Sequence, residues 1–385
     1  LQLDIKLRGC NLSAKTVRFA IIGSTGAIGS TQISAIRHVD CAQLVGIHAR
    51  TKSELFSQAK MLGVKPFFDL DSLLADKDVD AVIISTPHPS HEFLATKVAE
   101  SGKHVLTEKP MGVTPKSAKK MIDAAKFSNV KLGVLFMMRF QHAYQKAKEI
   151  LDSGTIGDLY LAQLNWTCIR TQDYFDRTDW RGKWSHEGGA VLLNQAIHGL
   201  DLLHWFTGSP NSIVASALTR MHTIEAEDYV SAILDYDFGH GIVHLSTIQA
   251  PPQSRIELWG DKGGIVIDKG ELSLYRLKKS INEFILEDSR NLGGRDFPSI
   301  DYEIDRMNFD SIPNLHVPAI EDFAKAILED RSPFVSGEDG IGSQHLAASM
   351  LLSSCANKRV YFPVDDLEYQ KLLDHLIDKG ELTNF

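Results

Sequence analysis

The sequence has little of what a membrane protein, a disulfide-rich protein or a nucleic-acid-binding protein needs. No apolar run approaches the roughly 20 residues that cross a bilayer. Cysteine is scarce, with four scattered residues and no CxxC pair, so neither a disulfide framework nor a zinc site is expected. The formal net charge of −8 lacks the basic excess that nucleic-acid binding requires. We therefore expect no membrane, nucleic acid or metal among the partners.

The amino terminus lacks the pattern of a secretory signal peptide. Asp4, Lys6, Arg8 and Lys15 are spread among its apolar residues, whereas a signal peptide requires an unbroken apolar stretch. Scattered cysteines are also typical of proteins from a reducing compartment. We therefore expect a cytoplasmic protein in which residues 1–16 form an N-terminal extension.

A chain of 385 residues is too long for one ordinary core, so two domains are expected. In the first part, short aliphatic and β-branched segments alternate with helical segments. Strands that are apolar on both faces are typical of a parallel sheet covered by helices. Right-handed crossovers then predict an α/β, doubly wound Rossmann domain over residues 17–138. The predicted strands are residues 17–22, 44–48, 79–85, 104–107 and 131–136, and the predicted helices are 30–39, 53–61, 90–101 and 115–127.

The second part, residues 139–385, has a different pattern. Its strand segments alternate apolar and polar residues, which is typical of antiparallel strands with one solvated face. The sequence predicts a second α/β domain with a large, mostly antiparallel sheet, and a loop over residues 283–313. The predicted strands are residues 159–170, 212–222, 230–235, 242–249, 256–259, 264–268 and 272–277, and the predicted helices are 191–206, 318–329 and 342–356.

A glycine-rich turn follows the first predicted strand and opens the first helix. Its spacing is GxxGxxG, one residue longer than the usual GxGxxG of dinucleotide sites. Glycines there permit a tight turn and a close approach of the backbone to a pyrophosphate, although the same spacing occurs in plain strand–helix connections. We expect the inserted Ser24 and Thr25 to present a hydroxyl and backbone N–H groups to that pyrophosphate. The predicted cofactor contacts are Gly23, Ser24, Thr25, Gly26, Ala27 and Ile28.

The end of the second strand bears on the choice between NAD and NADP. An acidic residue there binds the ribose 2′-hydroxyl of NAD, whereas arginine accommodates the 2′-phosphate of NADP. The sequence has no acid at this point but has Arg50 and Thr51, followed by Lys52. It favours NADP slightly, with a solvated basic loop as the alternative interpretation.

Two further motifs complete a family resemblance. The segment STPHPSH at residues 85–91 leads through GKHVLT to EKP at 108–110, and GGAVLLNQAIHGLD occupies residues 188–201. Together with the glycine turn, these motifs resemble the Gfo/Idh/MocA family, named after glucose–fructose oxidoreductase and inositol dehydrogenase. The likeness covers nearly the whole chain beyond residue 16. It implies an NAD(P)-dependent oxidoreductase.

The resemblance also implies the catalytic residues. Lys109 follows a strand at its carboxyl end, where it can bond a substrate hydroxyl and stabilise a developing alkoxide. His198 matches the position of the family's general base. The family frequently has aspartate where this chain has Asn194, and asparagine can hydrogen-bond but adds no charge. On the predicted helix, Asn194, His198 and Asp201 share one face, and Asp201 is expected to anchor or cap that helix.

Further contacts are expected around these residues. Aromatic side chains stack on sugar rings and arginines bind carboxylate or phosphate, although the region of residues 170–184 could also be a core-packed aromatic loop. The predicted substrate contacts, besides Lys109, Asn194 and His198, are Arg139, Arg170, Tyr174, Trp180 and Arg181. The predicted additional cofactor contacts are Thr86, Pro87, His91, Glu108 and Lys109.

These expectations describe an enzyme that moves hydride between a nicotinamide and a secondary alcohol of a sugar, nucleotide sugar or cyclitol. The Asn-Gln-x-x-His segment looks like the branch that contains nucleotide-sugar 3-dehydrogenases. The alternatives are an NAD-recycling glycosidase of the same family and a non-catalytic sugar-sensing regulator, against which the presence of both Lys109 and His198 argues. A homodimer or homotetramer is expected, because the open face of the second sheet needs covering.

Overall fold

The computed structural model describes residues 16–287 and 299–385. The predicted N-terminal extension, apart from Thr16, lies outside the described residues, as do Cys10 and part of the predicted loop over residues 283–313.

The first sheet has six parallel strands in the order β3-β2-β1-β4-β5-β6. The chain order reverses between β1 and β4, and in open α/β sheets ligands bind beside such a reversal, at the carboxyl ends of the strands. The central strand β4 is buried along its whole length, as its apolar sequence predicts. The doubly wound fold is therefore confirmed. The strands are β1 (Val17–Ile22), β2 (Ala42–His48), β3 (Lys65–Phe67), β4 (Ala81–Ile84), β5 (His104–Thr107) and β6 (Leu132–Val134).

Five helices connect these strands. The longest begins at a capping box, in which Thr114 and Ser117 satisfy each other's backbone N–H groups, and it has Pro115 at its first position. Both features favour a helix start. The short β3 and the helix after it were not predicted, because three residues around Pro66 give no readable period. The helices are α1 (Ala27–Ile36), α2 (Lys52–Leu62), α3 (Leu70–Ala75), α4 (His91–Glu100) and α5 (Pro115–Phe127).

A short 3₁₀ turn, Met137–Phe140, and helix α6 (His142–Asp152) lead to the second sheet. Its nine described strands lie in the order β14-β13-β12-β11-β7-β10-β9-β8-β15. Among these strands only the β7–β10 pair is parallel, so the predicted mostly antiparallel sheet is confirmed. The strands are β7 (Leu159–Ile169), β8 (Ser212–Leu218), β9 (Tyr229–Tyr236), β10 (Gly239–Ser246), β11 (Ile248–Gly260), β12 (Gly263–Asp268), β13 (Glu271–Leu277), β14 (Tyr302–Met307) and β15 (Val360–Tyr361).

The prediction of one continuous helix over residues 191–206 is wrong. Residues Val191–Gln195 form a single π-helical turn, and the α-helix starts only at Ile197. The turn is held from outside, because the backbone N–H of Leu192 donates to the Glu227 carboxylate at 2.8 Å. Preceding this turn is the short helix α7 (Gln172–Asp176), and following it is α8 (Ile197–Thr207).

The prediction that residues 283–313 form only a loop is also wrong. The short helix α9 (Ile281–Ile285) extends into this segment, and β14 (Tyr302–Met307) pairs with β13 at the edge of the sheet. An edge strand is solvated on one side and can be largely polar, so its sequence resembles a loop.

Helix α10 (His316–Leu328) returns to the first sheet, where Phe323 lies 6.4 Å from Phe19 between ring centroids. The predicted second-domain range, 139–385, therefore includes a helix that packs on the first domain. The chain continues with α11 (Gly337–Ala356) and α12 (Asp366–Lys379). No helix in residues 16–287 and 299–385 has the length and apolar character that a membrane crossing requires.

Candidate active site

Three of the sequence motifs meet at one edge of the first sheet. The glycine turn follows β1, the STPHPSH segment follows β4, and Glu108-Lys109-Pro110 follows β5. Because the strands are parallel, their carboxyl ends lie side by side. The segments pack closely: a Cβ atom added to Gly23 would lie 2.7 Å from the carbonyl oxygen of Ser85.

The glycine turn leaves the start of α1 open. Gly23 has a φ of +87°, a conformation that glycine adopts readily. Gly26 precedes the first residue of α1 and offers no capping side chain. A Cβ atom at Gly26 would meet only the Gly23 carbonyl oxygen, at 3.4 Å, within the surrounding 4 Å of the described structure. The uncapped N–H groups and exposed Thr25, Ala27 and Ile28 therefore fit the pyrophosphate of a dinucleotide.

Ser24 corrects one detail of the prediction. Its side chain is fully buried, and its hydroxyl donates to Gln58 Oε1 at 2.7 Å. Gln58 Nε2 in turn donates to the Ser24 carbonyl oxygen at 3.0 Å. The Ser24 hydroxyl therefore fixes the turn to α2 instead of facing a pyrophosphate.

The other predicted cofactor residues lie around the same edge. Arg50 and Thr51 are exposed just beyond β2, and Pro87 is exposed beyond β4. Thr86 Oγ1 accepts a hydrogen bond from Ser90 at 2.6 Å.

His91 and Glu108 point into the protein. The two ring nitrogens of His91 lie 2.7 Å from the carbonyl oxygens of Pro110 and Thr86. The Glu108 carboxylate accepts from Gln32 Nε2 at 2.7 Å. These side chains hold the two loops in place.

Lys109 and Asn194 come together from distant parts of the chain. Lys109 Nζ donates to the carbonyl oxygen of Asn194 at 2.8 Å and to its Oδ1 at 3.2 Å. Burial lowers the pKa of Lys109, while the carboxylates of Glu108 and Glu187 act in the opposite direction. The π-helical turn thus places an amide against the ammonium group at the edge of the sheet.

His198 lies on the first turn of α8, next to the same lysine. Its ring meets Phe136 edge to face at 5.8 Å. Among the described residues, its buried Nδ1 has no hydrogen-bond partner. Burial, and then the charges of Lys109 and His316, lower the pKa of His198 well below 6.5. The imidazole is therefore neutral near neutral pH and can accept a proton.

Arg139 was predicted to contact substrate, and the structure places it elsewhere. Its guanidinium makes a two-point contact with the Asp201 carboxylate, at 2.8 Å and 2.7 Å. Both side chains are at most 2% exposed. Arg139 therefore fixes α8 to the 3₁₀ turn from inside the protein. Asp201 and Asn194, which were predicted to share one face of a helix, thus have separate partners: Asp201 binds Arg139 and Asn194 binds Lys109.

The remaining predicted substrate residues form a half-open surface beside Asn194. The guanidinium groups of Arg170 and Arg181 lie 4.8 Å and 4.0 Å from the ring centroid of Tyr174. Arg170 also donates to Gln195 Oε1, and Gln195 Nε2 donates to the Tyr174 hydroxyl at 2.8 Å. Arg181 also lies over Trp180, at 5.3 Å. These residues are only partly buried or exposed.

One residue of the site was missed by sequence reasoning. Glu187 is fully buried, and its carboxylate accepts from Asn194 Nδ2 and from the Gly182 N–H, both at 2.5 Å. Burial raises the pKa of Glu187 to about 7. Glu187 is followed by two glycines, and a glutamate in such a segment looks the same in the sequence as one in a solvated loop.

Two protein-family descriptions match successive parts of the chain. Residues 17–136 match the family described as "Oxidoreductase family, NAD-binding Rossmann fold". Residues 144–266 match "GFO/IDH/MocA C-terminal domain".

Similar proteins include the trans-1,2-dihydrobenzene-1,2-diol dehydrogenase of Mus musculus, 31% identical over 59% of this chain and 67% of the mouse protein. The myo-inositol 2-dehydrogenase of Thermotoga maritima is 26% identical over 84% of this chain and 92% of its own length. The WlbA dehydrogenase of Bordetella pertussis, solved with NADH and UDP-GlcNAcA, is 27% identical. It superimposes with a TM-score of 0.78 over 91% of this chain and 99% of that structure. This chain belongs to the Gfo/Idh/MocA family of NAD-binding oxidoreductases.

Proposed function

We propose that this protein oxidises a secondary alcohol of a sugar, nucleotide sugar or cyclitol, or reduces the corresponding ketone, with a nicotinamide cofactor. The observation that carries this proposal is the contact of Lys109 Nζ with Asn194, at the sheet edge where the dinucleotide fits and beside the neutral His198. An ammonium donor and a neutral imidazole next to one another are what the removal of a hydroxyl proton requires.

Each side chain has a distinct task. His198 accepts the hydroxyl proton of the substrate alcohol, because its lowered pKa keeps the imidazole neutral. Lys109 donates a hydrogen bond to the same oxygen and stabilises the negative charge that develops there. Asn194 accepts from Lys109 and so orients the ammonium group. The bound nicotinamide supplies the acceptor, or in reverse the donor, of the hydride.

The surface of Arg170, Tyr174, Trp180 and Arg181 supports a cyclic, polar substrate. Aromatic rings bind the apolar face of a sugar, and arginines bind its hydroxyl, carboxylate or phosphate groups. The names of the relatives refer to a cyclic diol and to inositol, and the WlbA structure holds a nucleotide sugar. These substrates share secondary alcohols on a ring.

A substrate panel tests the proposal. Purified protein is incubated with sugars, cyclitols and nucleotide sugars, each with NAD and with NADP, and the absorbance of reduced nicotinamide is followed. Reduction that depends on one class of secondary alcohol is expected. Release of aglycone from a chromogenic glycoside without added nicotinamide would instead support the glycosidase alternative. Cofactor binding without turnover of any alcohol or ketone in the panel would contradict the proposal.

The proposed cofactor preference is NADP, and it depends on Arg50. This side chain is exposed at the end of β2, and among the described residues it has no ion-pair partner closer than 4.0 Å. It is therefore available to bind a 2′-phosphate.

Replacement of Arg50 by alanine tests this preference. We expect Arg50→Ala to weaken NADPH binding about tenfold, the usual scale for loss of one charged hydrogen bond, and to change NADH binding less than about threefold. The dissociation constants are measured by quenching of protein fluorescence, with Lys77→Ala as a control at the opposite edge of the sheet. Equal losses for both cofactors, or no loss for NADPH, would contradict the assignment.

A further inference from the structure

The proposed mechanism gives no task to the buried carboxylate of Glu187. Glu187 lies in the turn that precedes the π-helical segment and is fully buried. A buried carboxylate is costly unless it is hydrogen-bonded. Both oxygens of Glu187 have a partner: Oε1 accepts from Asn194 Nδ2, and Oε2 accepts from the backbone N–H of Gly182, each at 2.5 Å. Glu187 is therefore held firmly against the amide that touches Lys109.

This contact determines which way the Asn194 amide faces. With Nδ2 donating to Glu187, Oδ1 is left to accept from Lys109 Nζ at 3.2 Å. If the amide were turned over, its NH₂ group would face the ammonium group and its oxygen would face the carboxylate. Both contacts would then be repulsive, since a lysine ammonium has no acceptor and an ionised carboxylate has no donor. Glu187 thus selects the orientation that binds Lys109.

Glu187 also acts on Lys109 through its charge. Burial favours the neutral amine and lowers the pKa of Lys109, whereas the negative charge of Glu187 favours the ammonium form. The other ionisable groups around Glu187 are Arg181 and Glu227, together with His88, whose ring lies 3.3 Å from the Glu187 carbonyl oxygen. Around Lys109 itself, Glu108 also favours the ammonium form and Arg170 opposes it. Glu108 accepts a hydrogen bond from Gln32, whereas Glu187 contacts the Asn194 amide.

We propose that Glu187 is a positioning residue that orients Asn194 and keeps Lys109 protonated, thereby supplying the carboxylate that this chain lacks at position 194. An aspartate at position 194 would bring its own charge to Lys109. In this chain, the negative charge lies one hydrogen bond further away, behind a neutral amide. The catalytic part of this inference rests on the proposed function, while its effect on Lys109 can be measured without turnover.

The effect is confined to the alkaline side of neutrality. At acidic pH Glu187 is protonated and adds no negative charge beside Lys109. A protonated Glu187 can still accept from Asn194 through the oxygen that carries no proton. As the pH rises, Glu187 is ionised and opposes the loss of the Lys109 proton. Removal of its charge therefore lowers the pH at which Lys109, and with it the activity, is lost.

An exchange of the two side chains provides the test. In Glu187→Gln the negative charge is removed. The alkaline limb of the pH profile of kcat should then move about one pH unit lower, the scale expected for a unit charge one side chain away from Lys109. In Asn194→Asp two carboxylates would touch and share a proton, so kcat should fall at neutral pH. The double variant, which combines Glu187→Gln with Asn194→Asp, restores a complete set of hydrogen-bond partners. Its amide at position 187 can donate to the carboxylate at position 194 and accept from the Gly182 N–H. Its alkaline limb should return to at least the wild-type position.

A second readout does not depend on turnover. The pKa of Lys109 is measured by competitive acetylation over a pH series and mass spectrometry of the Lys109 peptide. Glu187→Gln should lower it by about one unit, and the double variant should restore it. Glu257→Gln, a control in β11, should leave it unchanged. Thermal melting and cofactor affinity establish that each variant is folded.

The possible failures are distinguishable. If no alcohol is turned over but the Lys109 pKa shifts as described, the proposed function fails and the electrostatic link stands. If alcohols are turned over, but Glu187→Gln leaves the alkaline limb and the Lys109 pKa unchanged, the role of Glu187 is refuted. A double variant no better than Glu187→Gln in both readouts would also refute it.

Discussion

At the scale of single residues, the proposed site depends on two side chains whose pKa values are lowered by burial. Burial makes His198 a neutral acceptor and weakens the hold of Lys109 on its proton. Opposing carboxylates, Glu108 and Glu187, counter that effect on the lysine. His198 can therefore act as the base, and Lys109 as the hydrogen-bond donor, in the same pH range.

These shifts predict the pH dependence of kcat/KM in the free enzyme. His198 is inactive when protonated, and its pKa is lowered from 6.5, so activity should persist below pH 6.5 before it falls. Lys109 is inactive when deprotonated, and its pKa is lowered from 10.5, so the alkaline limb should lie below pH 10.5. The profile is measured with a substrate that does not itself titrate. An acid limb above pH 6.5 that disappears in His198→Ala would contradict this assignment of the base.

Residues of this site differ in how well the sequence predicts them. Lys109, Asn194 and His198 belong to motifs, and Lys109 follows a recognisable strand, so their neighbourhood could be expected. Glu187 could not be, because its partners Asn194 and Gly182 are defined by the path of a loop. Arg139 was misplaced for a similar reason: an arginine near a domain junction gives no sign that Asp201, 62 residues later, binds it internally.

At the scale of elements, α8 is held by contacts outside its own backbone. The π-helical turn before it is fixed by Glu227, and the helix itself by the Arg139–Asp201 pair. The pattern of apolar residues over 191–206 fits one helix. A change from the i→i+5 hydrogen bonds of a π-helix to the i→i+4 bonds of an α-helix hardly alters that pattern. The doubly wound strands were predictable because burial on both faces leaves a purely apolar sequence, as in β4.

The buried ion pair predicts a large loss of stability when one partner is removed. Asp201→Asn leaves the buried Arg139 charge without its counterion, so the free energy of unfolding should fall by about 3 kcal/mol, the scale for breaking a buried pair. Glu100→Gln, which removes the exposed ion pair with Lys97, should change it by less than about 1 kcal/mol. Urea unfolding followed by circular dichroism measures both. Similar small losses in the two variants would contradict the anchoring role.

At the scale of the whole molecule, the second sheet presents apolar side chains to solvent. Val214, Ile233 and Ile242 lie directly opposite one another on β8, β9 and β10. All three are exposed, Ile233 by 52%. A row of exposed β-branched residues across three strands is typical of a surface that associates. We therefore expect a homodimer or homotetramer that uses this face.

A charge placed in this row tests the expected assembly. Ile233→Lys should convert the oligomer to a smaller species, because an isologous interface would bury the new charge twice. Phe127→Lys, at a 93% exposed position on α5, should leave the mass unchanged. The masses are determined by light scattering at micromolar concentration. A monomeric wild type, or an Ile233→Lys variant of unchanged mass, would contradict the expectation.

The proposed reaction requires that His198 removes the hydroxyl proton and Lys109 stabilises the charge on the oxygen, while the carbinol hydrogen leaves as hydride. Its most direct test uses an accepted alcohol that carries deuterium on the carbinol carbon. We expect deuterium at C4 of the reduced nicotinamide. We also expect Lys109→Ala and His198→Ala each to slow this transfer by about 100-fold or more, on the scale of acid–base catalysis, while cofactor affinity changes little. Deuterium found only in solvent, or transfer at the wild-type rate in both variants, would contradict it.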